Sequence, residues 1–299
     1  MSDRVLVVGP TSENQLVALD ALPRPEPHTV FALGHRTVLG GTSAGKALHL
    51  VDAGLSPTLL TTRGDDAAGD ALMAQLRACG VDVREVRAEG PTERHLNLMA
   101  ADGGRVSIYL QPSGPLPAEE LRRARSVALA AMTDAAAVFL DLSDVGRALI
   151  PEATALAHEV WCDVHDYDGM DGFHRPFVDA ADVLIMNRDR IRNPGSYLRD
   201  RIAAGTTLAV CTLGADGALG ATADGAMVRI AAPEVAVVDA NGAGDAFAAG
   251  LMAFAVEVGG ASRITGELLG QALEAGAAQS ARAVGSAQIS PLLERHGAG

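Results

Sequence analysis

Short β-branched and apolar runs alternate with longer helical segments along this chain, and that alternation constrains its fold more than any other feature. The first run, residues 4–8, ends at Gly9 and predicts a buried strand. Further strands are predicted at residues 57–62, 81–86, 136–140, 159–164, 183–186 and 207–212, and helices at residues 44–53, 66–79 and 271–284. Such alternation predicts a three-layer α/β fold, in which helices cover both faces of a mostly parallel sheet.

Two segments break this alternation. Residues 16–38 contain three prolines, and residues 95–110 are divided by a glycine-containing turn at residues 102–104. Proline and glycine at such positions are typical of turns between antiparallel strands. We therefore expect both segments to contribute to a small antiparallel sheet inserted between units of the main fold.

The size and charge of the chain limit its possible functions. Its 299 residues, 48% of them hydrophobic, suffice for one large domain with a substantial core. A net charge of −13 disfavours nucleic acid as a partner, because such binding relies on broad fields of lysine and arginine. The three cysteines are widely spaced, and the apolar runs are short or interrupted by charge. These features predict a cytoplasmic protein with no disulfide framework and no membrane segment.

A turn rich in small residues precedes a helical stretch at residues 237–247, whose sequence is VVDANGAGDAF. Gly242 and Gly244 allow close backbone approach, and a helix that begins there directs unpaired N–H groups toward an anion such as phosphate. Asp245 in the first turn can take a proton from an attacking hydroxyl, which indicates phosphoryl transfer. The alternative is an ordinary helix start at which Asp245 only complements the helix dipole.

This segment resembles the Asp-Thr-x-Gly-Ala-Gly-Asp signature of the ribokinase-like, or PfkB type, carbohydrate kinases, with Ala240 in place of threonine. The resemblance implies one ribokinase-like domain over residues 1–299, with ATP and Mg²⁺ as cofactors. It implies an anion hole at Gly242, Ala243 and Gly244, with Gly244 also at the nucleotide, and Asp245 as the base that binds the acceptor hydroxyl. It further implies that segments 14–38 and 92–111 form a lid over the acceptor, through which the chain can form a homodimer.

A second glycine motif, GGTSAGKA at residues 40–47, has two interpretations. Its spacing matches a phosphate-binding P-loop, and Lys46 is the only lysine in the chain, but Ala47 stands where Mg²⁺ binding needs a hydroxyl. The octet also resembles the family's sugar-binding motif Gly-Gly-x-Gly-x-Asn-x-Ala. That resemblance implies acceptor contacts at Gly40 and Gly41 and at Gly45, which replaces the usual asparagine.

Asn14 is a further acceptor-binding candidate, since its distance from Gly9 matches that of an aspartate that binds substrate hydroxyls in many relatives. An amide can still donate and accept hydrogen bonds at that position. Without the resemblance, Asn14 is interpreted as a surface turn residue.

The nucleotide side resembles the family at two segments. Residues 212–217, TLGADG, resemble the segment that contacts ATP, which makes Thr212, Gly214 and Gly217 nucleotide-binding candidates. Alone, the hexamer is more simply a glycine turn between strands. Asn187 begins the family's Asn-x-x-Glu segment, but Arg190 replaces the glutamate that organises water around Mg²⁺.

Two acids can compensate for the missing glutamate, Asp189 and Asp163, since Mg²⁺ held by phosphate and water tolerates variation. Family members also often hold a monovalent cation beside the anion hole. This makes Asp239 and Asn241 potassium candidates, together with the loop at residues 285–288.

The sequence therefore predicts an ATP-dependent kinase that phosphorylates a hydroxyl of a sugar or sugar-like small molecule. A nucleoside kinase of the same family is an alternative, although the few aromatic residues favour a sugar. A regulator that kept the fold and lost catalysis is a second alternative, motivated by Arg190, Gly45 and Asn14. A P-loop ATPase is the third.

Overall fold

The computed structural model describes residues 2–101, 103–156 and 158–296. The strands are β1 (Arg4–Pro10), β2 (Ser12–Leu19), β3 (Gly34–Gly40), β4 (Ser56–Arg63), β5 (Asp82–Arg87), β6 (Arg94–Ala100), β7 (Arg105–Gln111), β8 (Ala137–Leu140), β9 (Val160–Asp163), β10 (Val183–Asn187), β11 (Leu208–Thr212), β12 (Ala218–Thr222) and β13 (Met227–Ile230).

The α-helices are α1 (Thr42–Asp52), α2 (Ala67–Ala78), α3 (Ala118–Met132), α4 (Asp144–Ala155), α5 (Arg175–Ala180), α6 (Pro194–Ala203), α7 (Ala243–Val258), α8 (Gly266–Val284) and α9 (Pro291–Arg295). Each of the strands and helices predicted from the sequence is present, with ends that differ by a few residues. In the part of the chain that the structure describes, no helix has the length and apolarity needed to span a membrane.

Nine strands form the large sheet, in the order β13-β12-β11-β10-β9-β8-β1-β4-β5. The pairs from β11 through β10, β9, β8, β1 and β4 to β5 are all parallel, whereas β12 and β13 continue the sheet antiparallel. The prediction of a mostly parallel sheet is confirmed. In such a sheet the carboxyl ends of neighbouring strands meet at one edge, where ligands bind in open α/β folds.

Helices cover both faces of this sheet, as predicted. Leu48 of α1, Leu251 of α7 and Leu273 of α8 belong to the buried cluster on one face. Leu149 of α4 and Phe177 of α5 belong to the cluster on the other face. The central strands β1, β8, β9 and β10 are buried on both sides, which explains why they are continuous apolar runs rather than alternating ones.

The small sheet has the order β3-β2-β6-β7. β2 pairs antiparallel with β3 and β6 pairs antiparallel with β7, as predicted, but the central pair β2–β6 is parallel. A parallel pair arises here because β2 and β6 belong to separate chain segments and are not joined by a hairpin turn. In the predicted turn Gly103 has φ +89°, while Asp102 lies outside the described residues.

Two glycines bring α7 and α8 into close contact. A Cβ at Gly250 of α7 would lie 2.6 Å from the carbonyl oxygen of Ala275, and one at Gly276 of α8 would lie 2.9 Å from that of Phe247. These are backbone atoms, which cannot move aside as a side chain can. The two helices can therefore approach this closely only because neither glycine carries a side chain.

This packing predicts opposite effects for two helical glycines. Gly250→Ala is expected to destabilise the protein by about 1–3 kcal/mol through overpacking. Gly270 lies in α8, and a Cβ there would have only Val228 Cγ1 near it, at 4.0 Å. Gly270→Ala should therefore stabilise the protein by up to about 1 kcal/mol through higher helix propensity. Urea denaturation of the two variants and the wild type measures both changes, and equal effects would contradict the packing argument.

Candidate active site

The turn predicted to bind an anion forms the start of α7. Gly242 precedes the helix in the left-handed conformation, with φ 79°. A Cβ at Gly242 would lie 2.7 Å from Ile289 Cγ1. At Gly244, by contrast, a Cβ would meet open space. The first-turn N–H groups have no partner within the helix. That of Ala243 donates to the carbonyl of Ala240 at 3.3 Å, just before the helix. Asp245 follows in the same turn and is buried.

Lys46 reaches this carboxylate from α1, which begins after Gly41 with φ 96°. Its Nζ lies 2.9 Å from Asp245 Oδ1, 3.0 Å from Asp141 Oδ1 and 3.1 Å from Asp163 Oδ2. The Lys46 side chain is fully buried. A P-loop lysine must instead reach a bound phosphate, so the P-loop interpretation of residues 40–47 is wrong.

The sheet topology explains why these carboxylates converge. Asp141 directly follows β8 and Asp163 ends β9, and β8 and β9 are neighbouring parallel strands. Their carboxylates therefore lie side by side at the carboxyl edge of the sheet, under α1. Asp141 also accepts a hydrogen bond of 2.6 Å from the hydroxyl of Ser43. Asp163 is engaged by Lys46 through Oδ2.

Burial and opposite charges compete in this cluster. Burial raises the pKa of Asp245 to about 6, against the lowering effect of Lys46. Burial also raises the pKa of Asp141, again against Lys46. For Lys46, burial lowers the pKa, but the three carboxylates outweigh burial and hold it well above its ordinary value. Lys46 therefore carries its positive charge throughout the physiological pH range.

The predicted acceptor-binding residues form two groups, one at Asp245 and one at the turn that precedes α1. A Cβ at Gly45 would lie 2.8 Å from Asp245 Oδ2, so the missing side chain leaves room for this carboxylate against α1. Asn14 lies over Gly40, where a Cβ would come within 2.1 Å of Asn14 Nδ2. The hydroxyl of Ser12 donates to Asn14 Oδ1 at 2.7 Å. The structure thus brings Gly45 to Asp245, and Asn14 to the Gly40-Gly41 turn.

The segment at residues 285–290 closes the side of the site. His49 of α1 is hydrogen-bonded through Nε2 to the carbonyl of Ile289 at 2.8 Å, and burial lowers the pKa of His49 to about 4. Ile289 in turn packs against both Gly242 and Gly45. One turn of α1 therefore presents Lys46 to the carboxylates, and the next holds the segment that packs on the start of α7.

The predicted nucleotide-binding residues form a second group on the same edge of the sheet. Asn187 and Thr212 are register partners at the ends of β10 and β11. Gly214 is exposed with φ 62°, and a Cβ there would meet open space. Gly217 has φ 94°, and a Cβ would lie 2.0 Å from the carbonyl oxygen of Ile230, so only glycine fits.

The departure at Arg190 is accommodated locally. Its guanidinium pairs with Asp168 at 3.3 Å on the surface. Asn187 Nδ2 lies 3.5 Å from Asp166 Oδ1, and Asp166 adopts φ 60°, which is uncommon for a residue other than glycine. Among the described residues, no group of three or more His, Cys, Asp and Glu side chains is placed to hold a metal ion.

The potassium candidates are engaged by groups of the chain itself. Asp239 Oδ1 accepts a hydrogen bond of 2.8 Å from the backbone N–H of Asn241. Asp239 Oδ2 is paired with the guanidinium of Arg36, which belongs to β3 of the small sheet. This pair is a direct contact between the small sheet and the loop that leads to α7.

Sequence reasoning missed four residues of this site: Lys46 as a partner of carboxylates, Asp141, Ser43 and His49. One signal was available, because Asp141 directly follows a buried apolar strand, as Asp163 does. The direction of the Lys46 side chain had no such signal, since it depends on how α1 packs against the sheet.

Comparison with known proteins agrees with this geometry. A sequence model described as "pfkB family carbohydrate kinase" matches residues 2–294. The acarbose 7(IV)-phosphotransferase of an Actinoplanes species is 29% identical over 254 residues, which are 83% of each chain. A nucleoside kinase of Methanothermobacter thermautotrophicus is 26% identical and covers 83% of this chain and 81% of its own.

The solved structure of a microbiome-derived acarbose kinase superposes with a TM-score of 0.79 and 26% identity, over 99% of both chains. The predicted resemblance and fold class are confirmed. The family match extends over nearly the whole chain and includes the start of α7 with Asp245. This chain belongs to the PfkB family of carbohydrate kinases.

Proposed function

We propose that this kinase transfers the γ-phosphoryl group of ATP to a hydroxyl of a sugar or short sugar oligomer, with Asp245 as the general base. The observation that carries the proposal is the pairing of open N–H groups at the start of α7 with a buried carboxylate in the same turn. Amides of this kind stabilise the negative charge that develops on a transferring phosphoryl group.

In the proposed reaction Asp245 accepts the proton of the acceptor hydroxyl. The hydroxyl oxygen forms a bond to the γ-phosphorus, the bond from that phosphorus to the bridging oxygen breaks, and ADP leaves with the electron pair. The N–H groups of Gly242, Ala243 and Gly244 face the transferring group. Catalysis rests on position and electrostatics more than on covalent chemistry, as is general for phosphoryl transfer.

The small sheet is proposed as the lid, from segments 14–38 and 92–111, and its inner face as the acceptor surface. Asn14 and Asn97 are buried on that face, and Asn97 Oδ1 has no hydrogen-bond partner among the described residues. Buried amide groups without a partner are costly unless a ligand completes them. An acceptor hydroxyl at Asn97 would satisfy this oxygen while the sheet excludes water from the γ-phosphate.

A sugar is favoured over a nucleoside as acceptor. Tyr109, exposed on β7, contacts the ring of His95 at 4.0 Å between centroids and at a 49° tilt. This tilted pair does not form a flat slot between parallel rings, which would suit a planar base. Two relatives in the comparison carry acarbose in their names, so a sugar oligomer of that kind is the first acceptor to test.

The residues present fit Mg²⁺ only as part of magnesium–ATP. Arg190 replaces the usual glutamate, and the described residues hold no carboxylate cluster of their own for a metal. Mg²⁺ readily keeps water and phosphate oxygens as ligands and needs one or two protein groups at most. Asn187, with Thr212, Gly214, Gly217 and Gly244, is proposed to lie along the nucleotide, and the metal to supply charge neutralisation on its phosphates.

The residues do not fit a potassium site at Asp239 and Asn241. Both oxygens of Asp239 are engaged, one by a backbone N–H and one by Arg36. A bound cation would need to displace the guanidinium. We therefore propose that Arg36, rather than a potassium ion, supplies the positive charge at this position.

The outer face of the small sheet is proposed as a homodimer surface. Val106, Ile108 and Leu110 alternate along β7 and are all exposed. Leu98 and Leu96 of β6 are the register partners of Val106 and Ile108, so the apolar face extends across both strands.

The three buried free cysteines agree with a reducing, cytoplasmic location.

The experiment that tests the proposal is a panel of acceptors incubated with magnesium–ATP, with the phosphorylated product detected by mass spectrometry. We expect one acceptor class among sugars, sugar oligomers and nucleosides to gain a phosphoryl group. Asp245→Asn should lower kcat for that acceptor by roughly 10²- to 10⁴-fold, because the general base is lost, and should retain ATP binding.

Asp134→Asn is the matched control, since Asp134 is exposed and precedes β8 at the opposite edge of the large sheet. It should leave turnover unchanged. Near-normal turnover by Asp245→Asn would overturn the assignment of the base. ATP binding without product from any acceptor would favour the regulator hypothesis.

The shifted pKa of Asp245 predicts the pH dependence. The base acts in its ionised form, so kcat should fall below the pKa of about 6, by about tenfold per pH unit. The measurement is kcat at saturating magnesium–ATP and acceptor between pH 5 and 9. A kcat that stayed constant down to pH 5, as the pKa of an ordinary aspartate would give, would contradict the proposed environment of Asp245.

The pair of Arg36 with Asp239 predicts indifference to potassium. Replacing K⁺ by choline should change the wild-type rate by less than about twofold, because the guanidinium already neutralises Asp239. Arg36→Ala frees that carboxylate, so its rate should become higher in K⁺ than in choline. Arg94→Ala, which removes another paired arginine of the small sheet, should remain indifferent. Strong stimulation of the wild type by K⁺ would refute the assignment of Arg36.

A further inference from the structure

The only lysine of the chain is fully buried and contacts the proposed base. We propose that Lys46 is a positioning residue that keeps Asp245 ionised and fixes which of its two oxygens faces the acceptor. This inference rests on the proposed function, since it assumes that Asp245 is the base. The family's sugar-binding motif has no assigned role for a lysine at this position, and neither the fold nor the P-loop spacing accounts for it.

Groups from several neighbouring elements face Asp245, and most of them are charged. α1 contributes Lys46, β8 leads to Asp141 and β9 ends with Asp163, while the segment at residues 285–290 contributes the apolar Ile289. His165 Nδ1 lies 3.9 Å from Asp163 at the edge of the cluster. Because three carboxylates share one ammonium group, Lys46 is the cation that offsets the repulsion of Asp245 by two like charges.

Burial makes this repulsion severe. Charges a few ångströms apart interact several times more strongly in a protein interior than in water. Burial and the two neighbouring carboxylates all favour the protonated form of Asp245, and only Lys46 opposes them. A protonated Asp245 cannot accept the proton of the acceptor hydroxyl. Lys46 therefore sets the fraction of the enzyme that is competent for transfer at neutral pH.

The two oxygens of Asp245 have different neighbours. Lys46 Nζ donates to Oδ1 at 2.9 Å. Oδ2 lies next to Gly45, where a Cβ would come within 2.8 Å of it. With Oδ1 occupied by Lys46, Oδ2 is the oxygen left to take the proton, and the absence of a side chain at residue 45 leaves room for it. The neighbouring residues Gly45 and Lys46 thus act on the two oxygens of one carboxylate.

The single lysine allows a direct test without assignment of a crowded spectrum. Protein grown with lysine labelled with ¹³C at Cε gives one side-chain lysine signal, that of Lys46. We expect this signal to show a step with pH whose midpoint is that of the acid limb of kcat. Asp245→Asn should remove the step at that midpoint, although Lys46 remains charged and Asp141, whose pKa burial also raises, can still give a step of its own.

Kinetics of two variants test the consequence for catalysis. Lys46→Met removes the opposing charge, so the acid limb of kcat should move up by about one to three pH units, with activity recovered at high pH. Asp163→Asn removes a like charge and should move the limb to lower pH. At pH 7 the Lys46→Met variant should be roughly 2- to 100-fold slower than the wild type. Asp134→Asn is the control and should leave the limb in place.

The outcomes separate this inference from the proposed function. A merely structural lysine would lower kcat equally at every pH and leave the limb where it is, and that result overturns the inference. No step in the lysine signal between pH 5 and 9, or an unchanged step in Asp245→Asn, overturns it as well. If Lys46→Met does not fold, Asp163→Asn and the labelled wild type decide. Normal turnover by Asp245→Asn would refute the proposed function itself, whatever the lysine signal shows.

Discussion

The ammonium group of Lys46, shared by three carboxylates in the protein interior, is the interaction on which the rest of the site depends. It joins a helix that follows the small sheet, the ends of two neighbouring strands of the large sheet, and the first turn of α7. Removing a charge from water is unfavourable unless close partners replace the lost hydration. Each of the four groups is therefore stabilised in its buried position by the others, and the correct assembly of α1 on the sheet is also the assembly of the site.

Much of the fold was predictable from the sequence, because its signals are local. Apolar β-branched runs, such as residues 4–8, and the small-residue turn at residues 240–244 show their structure in their own composition. The pairing of β2 with β6 was not predictable in this way, since it joins segments that are separated by five other elements. The contact of Arg36 with Asp239 joins residues 203 positions apart along the chain and has no local pattern.

The candidate site likewise contains some residues that local signals predict and others that depend on long-range packing. Asp245 and the glycines beside it were found from spacing, since their geometry is that of one helix turn. The spacing of residues 40–47 fits both a P-loop and the family's sugar-binding motif, so the sequence alone leaves the role of Lys46 open. Which use applies depends on the direction of one side chain, and that direction is set by the strands under α1. Asp141 and Ser43 were missed for the same reason.

Two departures from the family pattern, at Gly45 and Arg190, are matched by other groups of this chain. Gly45 lacks the usual amide, and the space it leaves is filled by the carboxylate that Lys46 binds. Arg190 replaces an acid and is paired with Asp168 outside the nucleotide edge. Changes of this kind preserve the charge balance of a site while altering what it can recognise, which is how one fold serves many substrates.

The way in which the small sheet is tethered restricts how it can move. Four connections join it to the main body, and two of them are single residues, Thr11 between β1 and β2 and Gly41 between β3 and α1. The other two, at residues 88–93 and 112–117, are longer. The two short tethers lie side by side, since a Cβ at Gly41 would come within 2.7 Å of Thr11 Cα. Paired tethers of this length restrict sliding of the small sheet more than rotation about them. Gly41 leads directly into α1 with Ser43 and Lys46, whereas β7 is the strand furthest from both tethers in the order of the sheet.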